Sequence, residues 1–207
     1  MIIIVPFLIF LLVADFVSFN NSFYKKGFSK YNVYKSVPQA DSLHSSVINF
    51  VNGKSNDLPS VFNNREKQHL LDVRNTIRNL RILLHILGVL FIFLLIFYKK
   101  TKKQFNNLIG QTLFFGGLLT IAVSMIIFLL INFDFSTSFE SFHRLFFEKG
   151  SYLFDPTREI IVRLYPEQLF MDIGIRISKW VFALSAIFIA IGMFLIKQNK
   201  KNKNRRK

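Results

Sequence analysis

The sequence predicts an all-α membrane protein with four transmembrane helices and an extracellular cap of short amphipathic helices and loops. Its 207 residues are 51% hydrophobic and include 26 phenylalanines. The mean hydropathy of +0.35 is too high for a soluble domain of this size. Four apolar runs are long enough to cross a bilayer, which takes about 20 residues as a helix. We interpret residues 1–207 as a single membrane domain, with spans at about 1–19, 80–98, 108–133 and 177–196.

The distribution of charge predicts the orientation of these spans. Lysines and arginines cluster in the segments 99–107 and 197–207, while all 12 acidic residues lie elsewhere. By the positive-inside rule both segments and both termini are cytoplasmic, so the connections 20–79 and 134–176 are extracellular. A net charge of +15 also raises the possibility of nucleic-acid binding. We expect no nucleic-acid partner, because the basic tail is the usual flank of a last span and can contact anionic lipids.

The chain contains no cysteine. This excludes a disulfide, a thiol nucleophile and a cysteine-ligated zinc site, although it leaves the compartment open.

The first run, 1–19, is interpreted as an uncleaved membrane anchor, since it lacks a basic leading region and a small-x-small cleavage site. Asp15 lies near its outer end. This carboxylate either reaches the outer interface or pairs with a cation or a substrate amine inside the bundle, because ionisable groups at membrane depth are costly and usually functional.

The segment 20–59 is the least informative part of the sequence. Short strands and an irregular cap are both compatible with it, and Pro38 breaks any helix. Its tyrosines indicate a surface that rests at the lipid headgroup layer. His44 stands in a serine-rich stretch, and we interpret it as an ordinary surface residue.

The segment 63–78 predicts a polar helix that leads into the second span, with Asn63 or Asn64 as its cap. One face carries polar side chains at helical spacing, namely Arg65, His69, Asp72 and Thr76. The other face is apolar and can lie on hydrophobic material: Leu70, Val73, Ile77 and Leu80. We expect chemistry on this helix, because it is a polar element held at the water boundary.

Basic side chains follow along the same helix, at Arg74, Arg78 and Arg81. They either extend to lipid phosphates or line a polar entrance. His85 lies one turn beyond Arg81 and faces the same way. It is either a hydrogen-bonded packing residue or part of a polar cavity with Asp15, Arg74 and Arg81.

The third run contains Gly110, Gly116 and Gly117. We interpret these glycines as helix-packing positions, because small residues let helices approach closely in lipid.

The connection 134–176 predicts short amphipathic helices of the kind that lie flat in a membrane interface. Gly150 can end the first of them. Asp155 and Pro156 have the form of an N-cap followed by a proline at the first helical position, and Pro166 breaks that helix before the fourth span. The connection therefore predicts a collar on the bundle, in which His143 can face His69.

Known catalytic and nucleotide-binding motifs are absent from the sequence, including metalloprotease, serine-hydrolase and phosphate-loop patterns. Two histidines in the extracellular connections each have a carboxylate three residues away: His69 with Asp72, and His143 with Glu140. This spacing alone is weak evidence, since a histidine near an acid is commonly structural.

The arrangement resembles the lipoprotein intramolecular transacylases of Gram-positive bacteria. The resemblance covers nearly the whole chain in layout, and its specificity lies in REKQHLLDVR (65–74) and in FHRLFFEKGSYLF with IIVRLYPEQLF (142–170). The family's two essential histidines correspond to His69 and His143. Where the family usually has a tryptophan after Gly150, this chain has Tyr152, a change that affects packing and removes no catalytic group.

The resemblance implies acyl transfer within one diacylglyceryl lipoprotein, from the sn-2 ester to the α-amine of the N-terminal cysteine. The product is the lyso form, and no cofactor or metal is required. One imidazole would act as base and the other as acid or oxyanion donor, with Asp72 orienting His69 and with Arg65 and Glu140 in supporting positions. The implied partners are diacylglyceryl lipoproteins and membrane lipids, and we expect a monomer in the plasma membrane with its active site at the extracellular face.

Two other classes remain open on the sequence alone. A membrane metal protein could use His69, Asp72 and His143, because imidazole and carboxylate suit zinc. A non-enzymatic assembly or scaffold protein would instead depend on its spans and tolerate loss of the histidines.

Overall fold

The computed structural model describes residues 1–101, 105–148 and 150–204, with no side-chain detail for 202–204. The helices in these ranges are α1 (Ile4–Ser18), α2 (Asn21–Lys30), α3 (Val33–Ser36), α4 (Ala40–Val51), α5 (Asn64–Thr101), α6 (Phe105–Phe133), α7 (Phe135–Phe146), α8 (Ile160–Leu164) and α9 (Glu167–Asn204). No strand occurs in them, so the all-α prediction is confirmed. Lys102 and Lys103 of the predicted cytoplasmic loop, and 205–207 of the predicted tail, lie outside the described residues.

Three helices, α5, α6 and α9, are long and apolar enough to cross a membrane. Helices α1 and α2 form a fourth candidate if they are taken as one span bent by 63°. At 1.5 Å per residue the 38 residues of α5 extend about 57 Å, nearly twice the about 30 Å hydrocarbon core. Because charged residues recur through the N-terminal half of α5, we take residues 64–79 to lie outside its membrane-spanning segment.

The chain divides into two compact units. The first unit contains Met1–Asp15, Arg81–Leu129 and Ile175–Lys207, and the second contains Phe16–Leu80 and Leu130–Gly174.

Glycines bring α6 and α9 together in the first unit. A Cβ atom added to Gly192 would lie 2.6 Å from the Phe114 nitrogen and 2.7 Å from the Gly110 carbonyl oxygen. Gly117 is similarly close to the Ser185 carbonyl, at 3.0 Å. These contacts put the predicted packing glycines at helix interfaces, where only a hydrogen atom fits.

The core of the second unit is helical, although the sequence of residues 20–59 was also compatible with short strands. Residues 20–59 form α2, α3 and α4, and their buried apolar side chains include Phe28, Val37, Leu43 and Val47. Pro38 separates α3 from α4, because it cannot continue a helix. The alternative of short strands is therefore wrong.

The prediction of a surface position for His44 is also wrong. Its side chain is 3% exposed, and its Nδ1 lies 2.9 Å from the Tyr165 hydroxyl. The imidazole packs on Tyr24 with ring centroids 4.2 Å apart and on Phe28 at 5.6 Å. Serines surround His44 in the sequence and suggest a surface position. Helix α4 is amphipathic, however, and it buries the face that carries His44, Leu43 and Val47.

Two local predictions for the connection 134–176 need correction. Asp155 caps a turn and not a helix: its Oδ1 accepts from the Thr157 backbone N–H at 2.8 Å, whereas α8 begins at Ile160. Helix α7 ends at Phe146, before Gly150 is reached. Gly150 instead occupies a left-handed turn with φ of 88°, a conformation that glycine adopts without strain.

Replacing Gly192 with alanine should force α6 and α9 apart, because the new methyl group meets backbone atoms that cannot move aside. We expect a loss of about 1–3 kcal/mol of stability, the usual range for overpacking, measured by thermal unfolding in detergent. Gly88→Ala is the matched control, since nothing lies within 4 Å of a Cβ there. Equal melting temperatures for the two variants would contradict the interpretation.

Candidate active site

Helix α5 begins with a reciprocal cap that fixes the position of His69. The Asn63 backbone N–H donates to Glu66 Oε2 at 2.7 Å, and the Glu66 backbone N–H donates to Asn63 Oδ1 at 2.9 Å. This capping box satisfies donors that the first helical turn leaves free. Glu66 is 1% exposed, and its Oε1 accepts from the Ile161 backbone N–H at 2.8 Å. One carboxylate thus holds the start of α5 to α8, one turn before His69.

Arg65 organises the loop between α7 and α8. Its guanidinium donates to the carbonyl oxygens of Gly150, at 3.2 Å, and of Leu153. It also pairs with the buried carboxylate of Glu159, at 3.3 Å from Oε1. The other oxygen of Glu159 accepts from the Asp155 backbone N–H at 2.5 Å. These charge-assisted bonds give the loop a defined shape.

His143 lies in the third turn of α7, which is capped by Asp134 accepting from the Thr137 backbone N–H at 3.1 Å. The Nδ1 of His143 lies 2.7 Å from the carbonyl oxygen of Phe139, one turn earlier. A carbonyl can only accept, so Nδ1 carries the proton and Nε2 of the neutral ring is an acceptor. The ring of Phe139 also packs edge-on against the imidazole, at 4.2 Å between centroids.

The structure brings His69 and His143 together. Their ring centroids are 6.3 Å apart and the ring planes differ by 20°. Phe147 contacts both imidazoles, at 5.0 Å from His69 and 5.6 Å from His143. Phe154 packs on His69 at 5.3 Å, and Tyr152 packs on His143 at 5.0 Å. We call the rings around the two imidazoles the ring cage: Phe139, Phe147, Tyr152 and Phe154.

The ring cage keeps the imidazoles uncharged at neutral pH. Burial, with a smaller contribution from His143, lowers the pKa of His69 to about 4. Burial also lowers the pKa of His143, although the Phe139 carbonyl opposes the shift. Neutral imidazoles can accept a proton at one nitrogen and donate from the other, which is the property that acyl-transfer chemistry requires.

The carboxylates at helical spacing do not contact these imidazoles. Asp72 Oδ1 accepts from Gln68 Nε2 at 3.2 Å, and the buried Nδ1 of His69 has no hydrogen-bond partner among the described residues. Glu140 pairs with Arg144 on the exposed side of α7. The pKa of Arg144 is raised mainly by Glu140 and to a smaller extent by Tyr152 of the ring cage. The orienting role predicted for Asp72 therefore finds no support in its contacts.

Of the four residues predicted to form a polar cavity, Asp15, Arg81 and His85 are linked to one another, with Asp15 paired to a cation, while Arg74 has other partners. In the first unit Arg81 Nε lies 2.7 Å from Asp15 Oδ1, and exposed His85 donates from Nδ1 to the Arg81 carbonyl at 2.5 Å. In the second unit Arg74 donates to the Ser55 carbonyl at 3.2 Å.

No group of three histidine, aspartate or glutamate side chains in the described ranges could hold a metal ion. The geometry therefore gives no support to the zinc alternative.

Several residues of the site were missed in the sequence. Asn63 was predicted as a cap of α5, but Glu66, which completes a readable capping box three residues later, was not named. Glu159, Phe147 and Phe154 carried no such signal, because their contacts join segments far apart in the chain.

Comparison with known proteins identifies a family and a fold. The family model described as lipoprotein intramolecular transacylase Lit matches residues 1–170. No curated protein matches the chain.

A structure of the membrane-integral lipoprotein intramolecular transacylase Lit from Bacillus cereus superimposes with a TM-score of 0.83, at 21% identity over 96% of this chain and 93% of that one. Two variants of the same protein, with a histidine replaced by arginine or by alanine, give TM-scores of 0.79 and 0.78 at 20% identity. They cover 97% and 96% of this chain, and 91% of theirs in both cases. The shared fold is that of a membrane-integral protein.

Replacing Glu66 with alanine should leave the backbone N–H groups of Asn63 and Ile161 without their acceptor. We expect a loss of about 2–4 kcal/mol, because each unsatisfied buried donor costs about 1–3 kcal/mol. The matched control is Glu140→Ala, which removes an exposed i,i+4 ion pair with Arg144 and leaves no buried donor without an acceptor. Thermal unfolding of the two variants should differ clearly, and equal destabilisation would contradict this role for Glu66.

Stability should also fall as the pH drops from 6.5 to 5. The pKa of His44 and of His69 is about 4 in the folded protein, against an ordinary value of 6.5. The unfolded chain therefore binds more protons in this window, so each histidine contributes a slope of up to about 1.4 kcal/mol per pH unit. Unfolding of His44→Phe across this range should show a shallower slope than wild type, and an unchanged slope would refute the assignment.

Proposed function

Because this chain belongs to the lipoprotein intramolecular transacylase family, we propose that it moves the sn-2 acyl chain of a diacylglyceryl lipoprotein to the α-amine of that lipoprotein's N-terminal cysteine. The chain is a membrane enzyme, and the family name identifies its reaction class as acyl transfer within a lipoprotein. The observation that supports this site is the pair of near-parallel imidazoles, 6.3 Å apart and enclosed by aromatic rings. Neither the metal-protein nor the scaffold alternative is favoured by any contact.

The proposed reaction balances without a cofactor. The amine nitrogen attacks the carbonyl carbon of the sn-2 ester, and the carbonyl electrons move to oxygen to give a tetrahedral intermediate. Collapse of that intermediate forms the amide and breaks the bond to the sn-2 oxygen. The proton lost by nitrogen ends on that oxygen, so the products are an N-acyl amide and a free sn-2 hydroxyl.

His143 is the better candidate for the base. Its Nδ1–H is held by the Phe139 carbonyl, which leaves Nε2 as the free acceptor. Attack on the ester makes the amine N–H acidic, so a neutral imidazole of lowered pKa can take that proton and return it to the leaving alkoxide. The same atom thereby serves as base and then as acid.

His69 is the better candidate for the oxyanion donor. Its Nδ1 is buried and has no hydrogen-bond partner within the described chain. An unpaired lone pair is easier to bury than an unpaired N–H, so the proton resides on Nε2. That Nε2–H can donate to the oxygen that becomes negative in the intermediate, which is the interaction that acyl-transfer enzymes most depend on.

The surrounding ion pairs hold this geometry. Arg65 and Glu159 fix the loop that carries Tyr152 and Phe154, and Glu140 pairs with Arg144, whose pKa Tyr152 also helps to raise. Their proposed contribution is to keep the aromatic walls in place, so that the two reacting groups of one molecule meet in an attack geometry.

The proposed setting is the plasma membrane, with both termini cytoplasmic and the site open to the extracellular face, where lipoproteins are found. Helix α7 supports access from lipid, because it exposes apolar side chains at Phe142, Leu145 and Phe146. We propose that residues 1–207 act as one membrane domain, as a monomer, and without a second acyl donor.

Replacing either imidazole should abolish acyl transfer. Purified His143→Ala and His69→Ala should each lose at least about a hundredfold in rate, the usual contribution of a general base or an oxyanion donor. The assay is conversion of an S-diacylglyceryl cysteinyl lipopeptide, with the position of the acyl chain read by mass spectrometry. Undiminished N-acylation in both variants, at wild-type melting temperatures, would remove the site.

Replacing Asp72 tests the triad interpretation in the same assay. Asp72→Asn should change the rate by less than about threefold, because its oxygen contacts Gln68 and not His69. A loss as large as that of the histidine variants would restore an orienting role.

A further inference from the structure

The ring cage offers no counter-charge to a substrate. Four aromatic rings lie 4.2 to 5.6 Å from one or both imidazoles. The acids on the neighbouring elements have other partners. Glu159 pairs with Arg65 and Glu140 with Arg144, while Glu66 accepts from two backbone N–H groups, Asp72 from Gln68 and Asp155 from Thr157. Glu148, which follows Phe147, is exposed.

Positive charge flanks the same rings. The Arg65 guanidinium lies 4.9 Å from the centroid of the Phe154 ring, so that ring already has a cation over it. Arg144 is the second cation beside these rings, since its pKa is raised mainly by Glu140 and to a smaller extent by Tyr152. Aromatic rings can attract an ammonium group through their faces. Here Arg65 already occupies one such face, and the positive charges of Arg65 and Arg144 repel a further cation.

Building on the transacylase function proposed above, we propose that the ring cage is an amine subsite that takes the lipoprotein's α-amine in its neutral form and rejects the ammonium form. An α-ammonium entering the cage would lose its hydration and gain no carboxylate. The same surroundings disfavour positive charge on the two imidazoles, since burial lowers the pKa of His69 and of His143. The amine therefore gives its proton to water before it enters, and only the nucleophilic form reaches His143 Nε2.

Selection of the neutral amine gives a kinetic signature. The pH dependence of kcat/KM reports the free amine, which titrates near 7.7–8.0, whereas kcat reports the bound amine. If the site binds only the neutral amine, the pKa of the bound amine is lower than that of the free amine. We therefore expect kcat to fall at a pH at least about one unit lower than kcat/KM does, which corresponds to a tenfold shift in the protonation equilibrium. Coincident limbs, or a kcat limb at higher pH, would overturn the proposal.

Competition by uncleavable analogues tests the subsite without a variant. Two diether lipopeptides are compared, one with a trimethylammonium at the terminal nitrogen position and one with its uncharged tert-butyl isostere. We expect the uncharged analogue to inhibit at least about tenfold more strongly, because the cage provides nothing to replace the hydration of the cation. Equal inhibition, or stronger inhibition by the trimethylammonium analogue, would refute neutral selection.

A charged residue in the cage should reverse the selectivity. Phe147→Glu places a carboxylate beside both imidazoles, and Phe147→Gln is its matched neutral control. The trimethylammonium analogue should gain at least about tenfold in relative binding in the glutamate variant only, by the attraction of an opposite charge at short range. Binding is read by thermal shift, which requires no turnover, and no gain over the glutamine variant would contradict the proposal.

The outcomes separate this inference from the proposed function. Wild-type protein that N-acylates the lipopeptide but binds both analogues equally retains the function and loses the amine subsite. Failure of wild type to form any N-acyl product overturns the function, and the inference with it.

Discussion

The carboxylate of Glu66 is the constraint on which the second unit depends. It is buried, it closes the capping box at the start of α5, and it accepts from the backbone N–H of Ile161 in the first turn of α8. A buried charge is tolerated only when such bonds compensate its lost hydration. Because His69 lies one turn further along α5, the same carboxylate determines where that imidazole is presented. The neighbouring Arg65–Glu159 pair then shapes the loop that supplies the rings around it.

The spans could be predicted because their signals are local, whereas the two histidines stood out through the family resemblance, since a carboxylate three residues away is weak evidence. Helical spacing placed Arg65 and His69 on one polar face, and the apolar runs were long enough to reveal α5, α6 and α9 without any tertiary information. The asparagine before α5 acts as a cap, as its position indicated. Local spacing also suggested Asp72 as a partner of His69, yet in the structure Gln68, four residues before Asp72, donates to its oxygen.

The remaining features depend on residues distant in the sequence. Arg65 and Glu159 are 94 positions apart, and Glu66 and Ile161 are 95 apart. His44 is buried because Tyr165, from the junction of α8 and α9, donates or accepts at its Nδ1 and completes an aromatic core. Nothing in the spacing of residues 20–59 predicts the contact between His44 and Tyr165. The ring cage likewise draws on α7 and on the loop after it, around an imidazole of α5.

The aromatic enclosure also bears on what the enzyme avoids. An ester activated beside water would lose its fatty acid to hydrolysis, leaving a lipoprotein with one chain, and a single acyl chain gives only marginal membrane binding. In the proposed site the rings pack around a buried His69 and a half-buried His143, and their role would be to keep the acyl group between two atoms of one molecule. The lipoprotein then leaves with as many hydrocarbon chains as it brought, and it stays attached to the cell.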